Sequence, residues 1–355
     1  MSLTRRGKAA VVVTAVIAIL ALAVGAMAWT GHTPAAIRKF TNALGVTKPA
    51  PPTCPLTGKP LPGDRPAPHH PVLAVKVENT SEAYPLAGLD KADIVYEEVV
   101  EGGITRFAAI FDCGTSPRVG PVRSARTTDP KILLQFGSKP LLGFSGASGA
   151  VMHVVRQAGV IEMVEGAPAA AFSRDASRQV PHNLFTNTAK LWAAGKKLAK
   201  DDPSPRPVFT YSSTVPSPSK KGLSATVVFS GLATADWRWQ GGRYVRFLNG
   251  APMRLEDGAP LATDNVVIQQ VATTQSTLHD VLGYPSPEVT MIGKGKAWVL
   301  RDGRLITGTW TRSSLSQATV FRTKRGDEIT LAPGTTYVEL APTGMFNATI
   351  SFNGS

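Results

Sequence analysis

Residues Ala92-Asp93-Ile94-Val95-Tyr96-Glu97-Glu98-Val99-Val100-Glu101-Gly102-Gly103-Ile104-Thr105-Arg106-Phe107 decide the fold of this chain. β-Branched and aromatic side chains dominate Asp93 to Val100 and again Arg106 to Asp112, which predicts strands on either side of Glu101-Gly102-Gly103. Working outward, Val72 to Val77 and Pro140 to Phe144 read as further strands, and Arg123 to Phe136, Ala150 to Ala158 and Thr188 to Lys200 as helices. Strands interleaved with helices predict an α/β domain over 72–200. Pro203, Pro205, Pro207, Pro216 and Pro218 break regular structure and mark 201–221 as a linker. Beyond it, seven short alternating segments from Ala225 to Leu340, with Gly241-Gly242 and Asp302-Gly303 between neighbouring runs, predict a β-rich sandwich or barrel over 222–355. The fold class is therefore α+β.

The N-terminal side supplies a location. Ala9 to Trp29 carries no charge and follows Arg5, Arg6 and Lys8, so residues 1–29 read as a cytoplasmic N-terminus and single membrane-spanning anchor. Ala26-Met27-Ala28 also fits a signal-peptidase site, and secretion after cleavage is the competing expectation. Either outcome exports the remainder. The proline-rich stretch 30–71 is expected to form a stalk. The formal charge of +13 then points to anionic envelope polymers or lipid phosphate rather than nucleic acid. Export also permits Cys54 and Cys113 to pair or to remain separate thiols, and Cys54 is not in a lipobox.

The chemistry concentrates where glycine meets arginine. Glu101, Gly102, Gly103 and Arg106 are followed by Arg118, Arg123, Ser124 and Arg126, and guanidinium forks suit phosphate or carboxylate. A helix opening at Arg123 would add free N–H groups. The bland alternative pairs these arginines with Asp93, Glu97, Glu98 or Glu101 to fix a loop. Asp93, Glu97 and Glu101 share a face by spacing, but no calcium-type loop is present, and neither metal nor cofactor is expected. Gly146-Ala147-Ser148-Gly149-Ala150 has the setting of a serine elbow, with His153 or His182 as base and Asp175 as orienting partner, but reads better as a small-residue turn. Trp237, Trp239, Tyr244, Trp298 and Trp310 at strand positions read as core, with Trp310 and Arg312 the nearest thing to a sugar contact.

Several of these motifs, in order, resemble the YerB-like envelope proteins, whose two characteristic regions are domains of unknown function. Pro55-Leu56-Thr57-Gly58, Ala92 to Glu97, Glu101 to Phe107 and Gly120 to Arg126 are similar to the first region. Tyr244-Val245-Arg246, Asp264-Asn265-Val266-Val267 and Gly308 to Arg312 are similar to the second. The resemblance implies a surface-anchored protein with an α/β region followed by a β-rich one, and no particular activity. Many relatives are lipoproteins, and the missing lipobox sets this chain apart. A weaker likeness to the LytR-CpsA-Psr phosphotransferases would make Asp93, Arg106, Arg123 and Arg126 the comparable elements. The leading expectation is a noncatalytic module binding an anionic envelope ligand. Its alternatives are a phosphotransferase or hydrolase acting on polyprenyl-phosphate-linked glycans, with Asp93 acting on a metal or proton, and a scaffold whose β region captures an envelope protein.

Overall fold

The segment Leu-Ala-Val-Lys-Val-Glu-Asn at 73–79 alternates large apolar residues with smaller or charged ones, so as a strand it presents two different faces. In the computed structural model, which describes residues 51–64, 66–166, 171–199, 205–280 and 283–354, it forms β1 (Leu73–Asn79). β2 (Ile94–Val99), β3 (Thr105–Phe111), helix α1 (Thr128–Leu133), β4 (Leu141–Phe144), α2 (Gly149–Gln157) and β5 (Ile161–Val164) follow. The small pair β6 (Phe172–Arg174) and β7 (Leu184–Thr186) and helix α3 (Thr188–Gly195) complete this region. The next region contributes β8 (Lys220–Lys221), β9 (Ser224–Val228), β10 (Thr234–Gln240), β11 (Arg243–Leu248), β12 (Ala251–Pro252) and β13 (Ala262–Thr263). Then come β14 (Asn265–His279), β15 (Pro285–Val289), β16 (Gly293–Arg301), β17 (Arg304–Arg312), β18 (Val320–Thr323), β19 (Thr336–Gly344) and β20 (Thr349–Asn353).

The helix expected from Arg123 begins only at Thr128. Arg123 N donates to Lys76 O (2.9 Å) and Ala125 N to Gly146 O (3.1 Å), so the backbone before Thr127 is bound to neighbouring segments instead of winding into a turn. No helix N-terminus therefore stands at Arg123.

Among the described residues one 12-stranded sheet runs β18-β17-β16-β14-β19-β2-β3-β1-β4-β5, with β15 added to β14 and β8 to β17. This corrects the expected domain boundary. β19 lies parallel to β2, pairing Thr336 with Ile94 through Glu339 with Glu97, so residues on both sides of 201–221 build the same sheet. The expected linker is itself packed: Val208 and Phe209 are buried, and Tyr211 bridges to Leu331. The second region is accordingly neither a separate sandwich nor a barrel. β12-β11-β10-β9-β20, with β13 on β11, form a smaller sheet against one face of the shared one.

Leu73, Val75 and Val77 face that smaller sheet, in a core that includes Trp237, Tyr244 and Tyr337 and extends to Leu191 and Trp192 of α3. Ala74, Tyr96 and Ile110 face the other way, in a core with Ile132 and Leu133 of α1 and Val151 and Val155 of α2. Lys76 and Glu78 share this second face by alternation.

The expected stalk is also shorter than the sequence suggests. Cys54 and Leu56 are buried, the Tyr211 hydroxyl donates to Leu56 O, and a disulfide joins Cys54 to Cys113 with Cα atoms 6.1 Å apart. Thr53–Ser355 forms a unit whose two cores, sheets and disulfide lie within itself. The expected anchor over 1–29 and the stalk up to residue 50 lie outside the described residues. Among the described residues no helix is long and apolar enough to cross a membrane.

Candidate functional site

Charged side chains in a strand that is covered on both faces need partners, because an isolated buried charge costs several kcal/mol. At the end of the shared sheet next to the Glu101–Gly103 turn, three of them stand in a row. Arg106 on β3 is paired with Glu78 on β1 and with Glu98 on β2. Directly opposite residues in a ladder point to the same side. Lys76, two residues before Glu78, bridges Glu98 and Asp129, the latter at 2.8 Å, and is fully buried. Burial pushes the Glu98 carboxyl up, against the pull of Lys76, and Asp129 adds to the rise. Asp129 in turn accepts from Arg126 N at 2.6 Å, which ties the start of α1 to this row.

The expected arginines gather in front of it. Arg126 Nε donates to Glu101 Oε2 at 2.7 Å, and Glu101 also accepts from the Ser286 hydroxyl of β15. Burial alone would raise the Glu101 carboxyl; Arg126 and Ser286 overcome this and hold it below the usual range. Arg123 faces Glu78, Nε to Oε1 3.5 Å, and donates to Pro181 O at 3.2 Å. His182 Nδ1 lies 2.9 Å from the other Glu78 oxygen.

Arg106 differs from both. It is 7% exposed, and among the described residues its guanidinium makes one hydrogen bond, to Ser124 O at 3.2 Å, and no ion pair. Burial, and then the charges of Arg126 and Arg123, push it down to about 10. Glu101, Arg106, Arg123, Ser124 and Arg126 thus meet in space. Gly102 and Gly103 serve the turn: both have positive φ, 70° and 81°, which a side chain would strain. Gly103 is backed by Ser230, whose hydroxyl donates to Gly103 O, so it is not the open approach for a ligand that its composition suggested.

On the opposite face of the same strands lies a second charged centre. Arg246 of β11 is buried between Glu97 of β2 (2.7 Å) and Glu339 of β19 (3.2 Å), and Trp237 Nε1 donates to Glu339 at 2.7 Å. Burial works against the Arg246 cation, but the two carboxylates hold its pKa above the ordinary value. Burial, with Glu97 beside it, pushes Glu339 well up. Glu97 and Arg246 belong to the two sequence signatures, and here they join the smaller sheet to the larger.

Other candidates fall elsewhere. Asp93 precedes β2 at the far end from Glu101, and its Oδ2 accepts from Asp112 N, Cys113 N and Gly114 N at 2.7 to 3.0 Å. It organises a backbone turn beside the disulfide, which removes it from the arginines. Arg118 does not converge with them: it binds Glu256 and Asp175, 2.7 and 2.6 Å away, over the Phe185 ring. Ser148 caps α2 by accepting from Val151 N, His182 is held by Glu78 and Asp175 by Arg118, so these three do not form a serine triad. Trp310 is buried with Nε1 on Gln270 O, and Arg312 holds backbone carbonyls, both structural roles. Lys76, Glu78 and Glu339 were not singled out from the sequence. Charged residues alternating inside the apolar run 73–79 were the available signal for the first two.

The architecture defines one α+β body built jointly by two sequence regions, with an arginine-rich end. The family described as "Protein of unknown function (DUF3048)" matches in both parts, its N-terminal domain over residues 56–201 and its C-terminal domain over 225–338. The chain belongs to this YerB-like family. It is 26% identical over 280 residues, 76% of this chain and 81% of the relative, to YerB of Bacillus subtilis (strain 168), whose name classes it as a lipoprotein. The crystal structure of YerB from Bacillus subtilis shares the fold, with a TM-score of 0.69 at 24% identity over 84% of this chain and 99% of that one.

Proposed function

We propose that this is an extracytoplasmic, membrane-associated protein whose Arg106, Arg123 and Arg126 bind a phosphate-bearing anion of the cell envelope. The single observation that carries the reading is Arg106, a nearly buried guanidinium that forms no ion pair among the described residues and is flanked by two more arginines. The comparably buried structural arginines are matched, Arg246 by two carboxylates and Arg312 by four backbone carbonyls, whereas among the described residues Arg106 has a single carbonyl. Arg123 and Arg126 are partly exposed, at 21% and 13%, and their charges act on Arg106. The basic charge of the chain and the lipoprotein name of its Bacillus subtilis relative support the location. The geometry favours binding over catalysis, because Asp93 is committed to backbone donors.

Calorimetric titration of Thr53–Ser355 with inorganic pyrophosphate and with a glycerol-phosphate polymer tests this. Saturable binding that disappears in the Arg123→Ala, Arg126→Ala double variant is expected. Equal binding by a folded double variant would show that the anion sits elsewhere, and no binding by either protein would end the proposal.

A further inference from the structure

Five large apolar side chains are strongly exposed among the described residues: Val180 (71%), Leu198 (62%), Leu232 (73%), Tyr284 (52%) and Ile292 (45%). Singly, such residues are ordinary on a protein surface. Three of them, however, are each within two residues of a hydrogen bond to the arginine cluster. Val180 precedes Pro181, whose carbonyl accepts from Arg123, and His182, which binds Glu78. Leu232 tips the turn between β9 and β10, where Ser230 donates to Gly103 O and receives Leu232 N at 2.9 Å. Tyr284 leads into β15, where Ser286 donates to Glu101. These three segments come from different parts of the chain, 180–182, 230–232 and 284–286, and none pairs with another in a ladder. What they share is this end of the sheet, where each brings an exposed apolar side chain within two residues of a group bonded to Arg123, to the Glu101–Gly103 turn or to Glu101.

We propose that the arginine cluster engages the phosphate headgroups of an anionic lipid bilayer, with Val180, Leu232 and Tyr284 entering the boundary between headgroups and acyl chains. This rests on the anion-site reading above and deepens it. The physical argument is complementarity of two kinds at one place. A bilayer surface offers phosphate at the level where guanidinium forks can meet it and hydrocarbon immediately beneath. Peripheral attachment commonly needs both terms, since neither a few cations nor a few apolar side chains hold a protein at a membrane alone. A soluble polyanion would satisfy the arginines but leave these apolar side chains in water. The apolar segment Ala9–Trp29, expected to anchor the chain, would keep such a surface close at hand.

The test uses Thr53–Ser355 with its disulfide intact, so that the N-terminal segment cannot insert. Flotation with vesicles of phosphatidylcholine alone is compared with flotation on vesicles containing phosphatidylglycerol, and inorganic pyrophosphate is titrated in parallel. The exposed positions are changed together, Val180→Ser, Leu232→Ser and Tyr284→Ser, with thermal unfolding as the control for folding. Expected are binding to the phosphatidylglycerol vesicles alone, loss of at least about tenfold in vesicle affinity in the triple variant, and unchanged pyrophosphate affinity. Pyrophosphate binding without vesicle binding, or vesicle binding indifferent to the triple change, overturns the membrane proposal and leaves the anion site standing. Absence of both bindings removes the two together.

Discussion

Replacing Arg246 with methionine tests how the two sheets are joined. Arg246 sits 2.7 Å from Glu97 and 3.2 Å from Glu339, and the three residues are at most 3% exposed. Two unit charges about 4 Å apart attract by about 4 kcal/mol at an effective protein dielectric near 20. Most of that attraction is offset by desolvating the ions, so the triad as a whole adds little to stability. Removing the cation alone is different, because two carboxylates remain buried against each other, and breaking a buried pair in this way costs about 3–5 kcal/mol. The loss should depend on pH. Glu339 already has a folded pKa well above its ordinary 4.5, so its contribution is fully present below 4.5 and is lost as pH rises through the folded value. Without Arg246 the Glu339 carboxyl rises further, and the variant's deficit grows as pH rises through the parent's folded value. Urea unfolding of Thr53–Ser355 at pH 5 and pH 7, followed by tryptophan fluorescence and circular dichroism, should give a deficit of about 3–5 kcal/mol at pH 7 and a smaller one at pH 5. A deficit under about 1 kcal/mol at pH 7 would refute Arg246 as the joint between the sheets.

Three further outcomes are expected. Arg106→Met should abolish pyrophosphate binding while leaving stability within about 1 kcal/mol of the parent or above it, since a desolvated, repelled cation is removed; a loss beyond about 3 kcal/mol in urea would instead mark Arg106 as structural. Exchange of both Cys54 and Cys113 for serine opens a loop of sequence separation 59 and should lower stability by up to about 4 kcal/mol, and an unchanged urea midpoint would show that the unfolded chain gains no freedom. Burial, with Asp93 beside it, pushes the Asp112 carboxyl up to about 8, so the stability it contributes is present below the ordinary 3.8 and lost as pH rises toward 8. Asp112→Asn should flatten the stability profile over that window, and a slope matching the parent's would count against the assignment.

Individual strands were legible because β-branched residues and alternation are local signals. β1, β2, β3 and β4 fall within two residues of their expected bounds at each end. The partnership of β19 with β2 left no such trace, and a proline-rich stretch between two strand-rich regions reads as a linker whether or not a sheet later closes across it. The arginine cluster was visible as composition. Of its counter-charges Glu101 was visible and Glu78 was not, since Glu78 lies in a strand distant in sequence from Arg123. The helix expected at Arg123 failed because backbone donors there found acceptors in β1 and beside α2, which no local propensity encodes.

The place of β19 also sets the order in which the protein can be made. A chain made from its N-terminus onward delivers Ile94–Val99 long before Thr336–Gly344, and until the latter arrives the second edge of β2 stays bare. Folding of the first region must therefore wait for nearly the whole polypeptide, with an unpaired strand exposed to other chains meanwhile. Synthesis of this protein is thus a race between completing the sheet and aggregating, and a stop codon anywhere before residue 336 is expected to forfeit both regions rather than one.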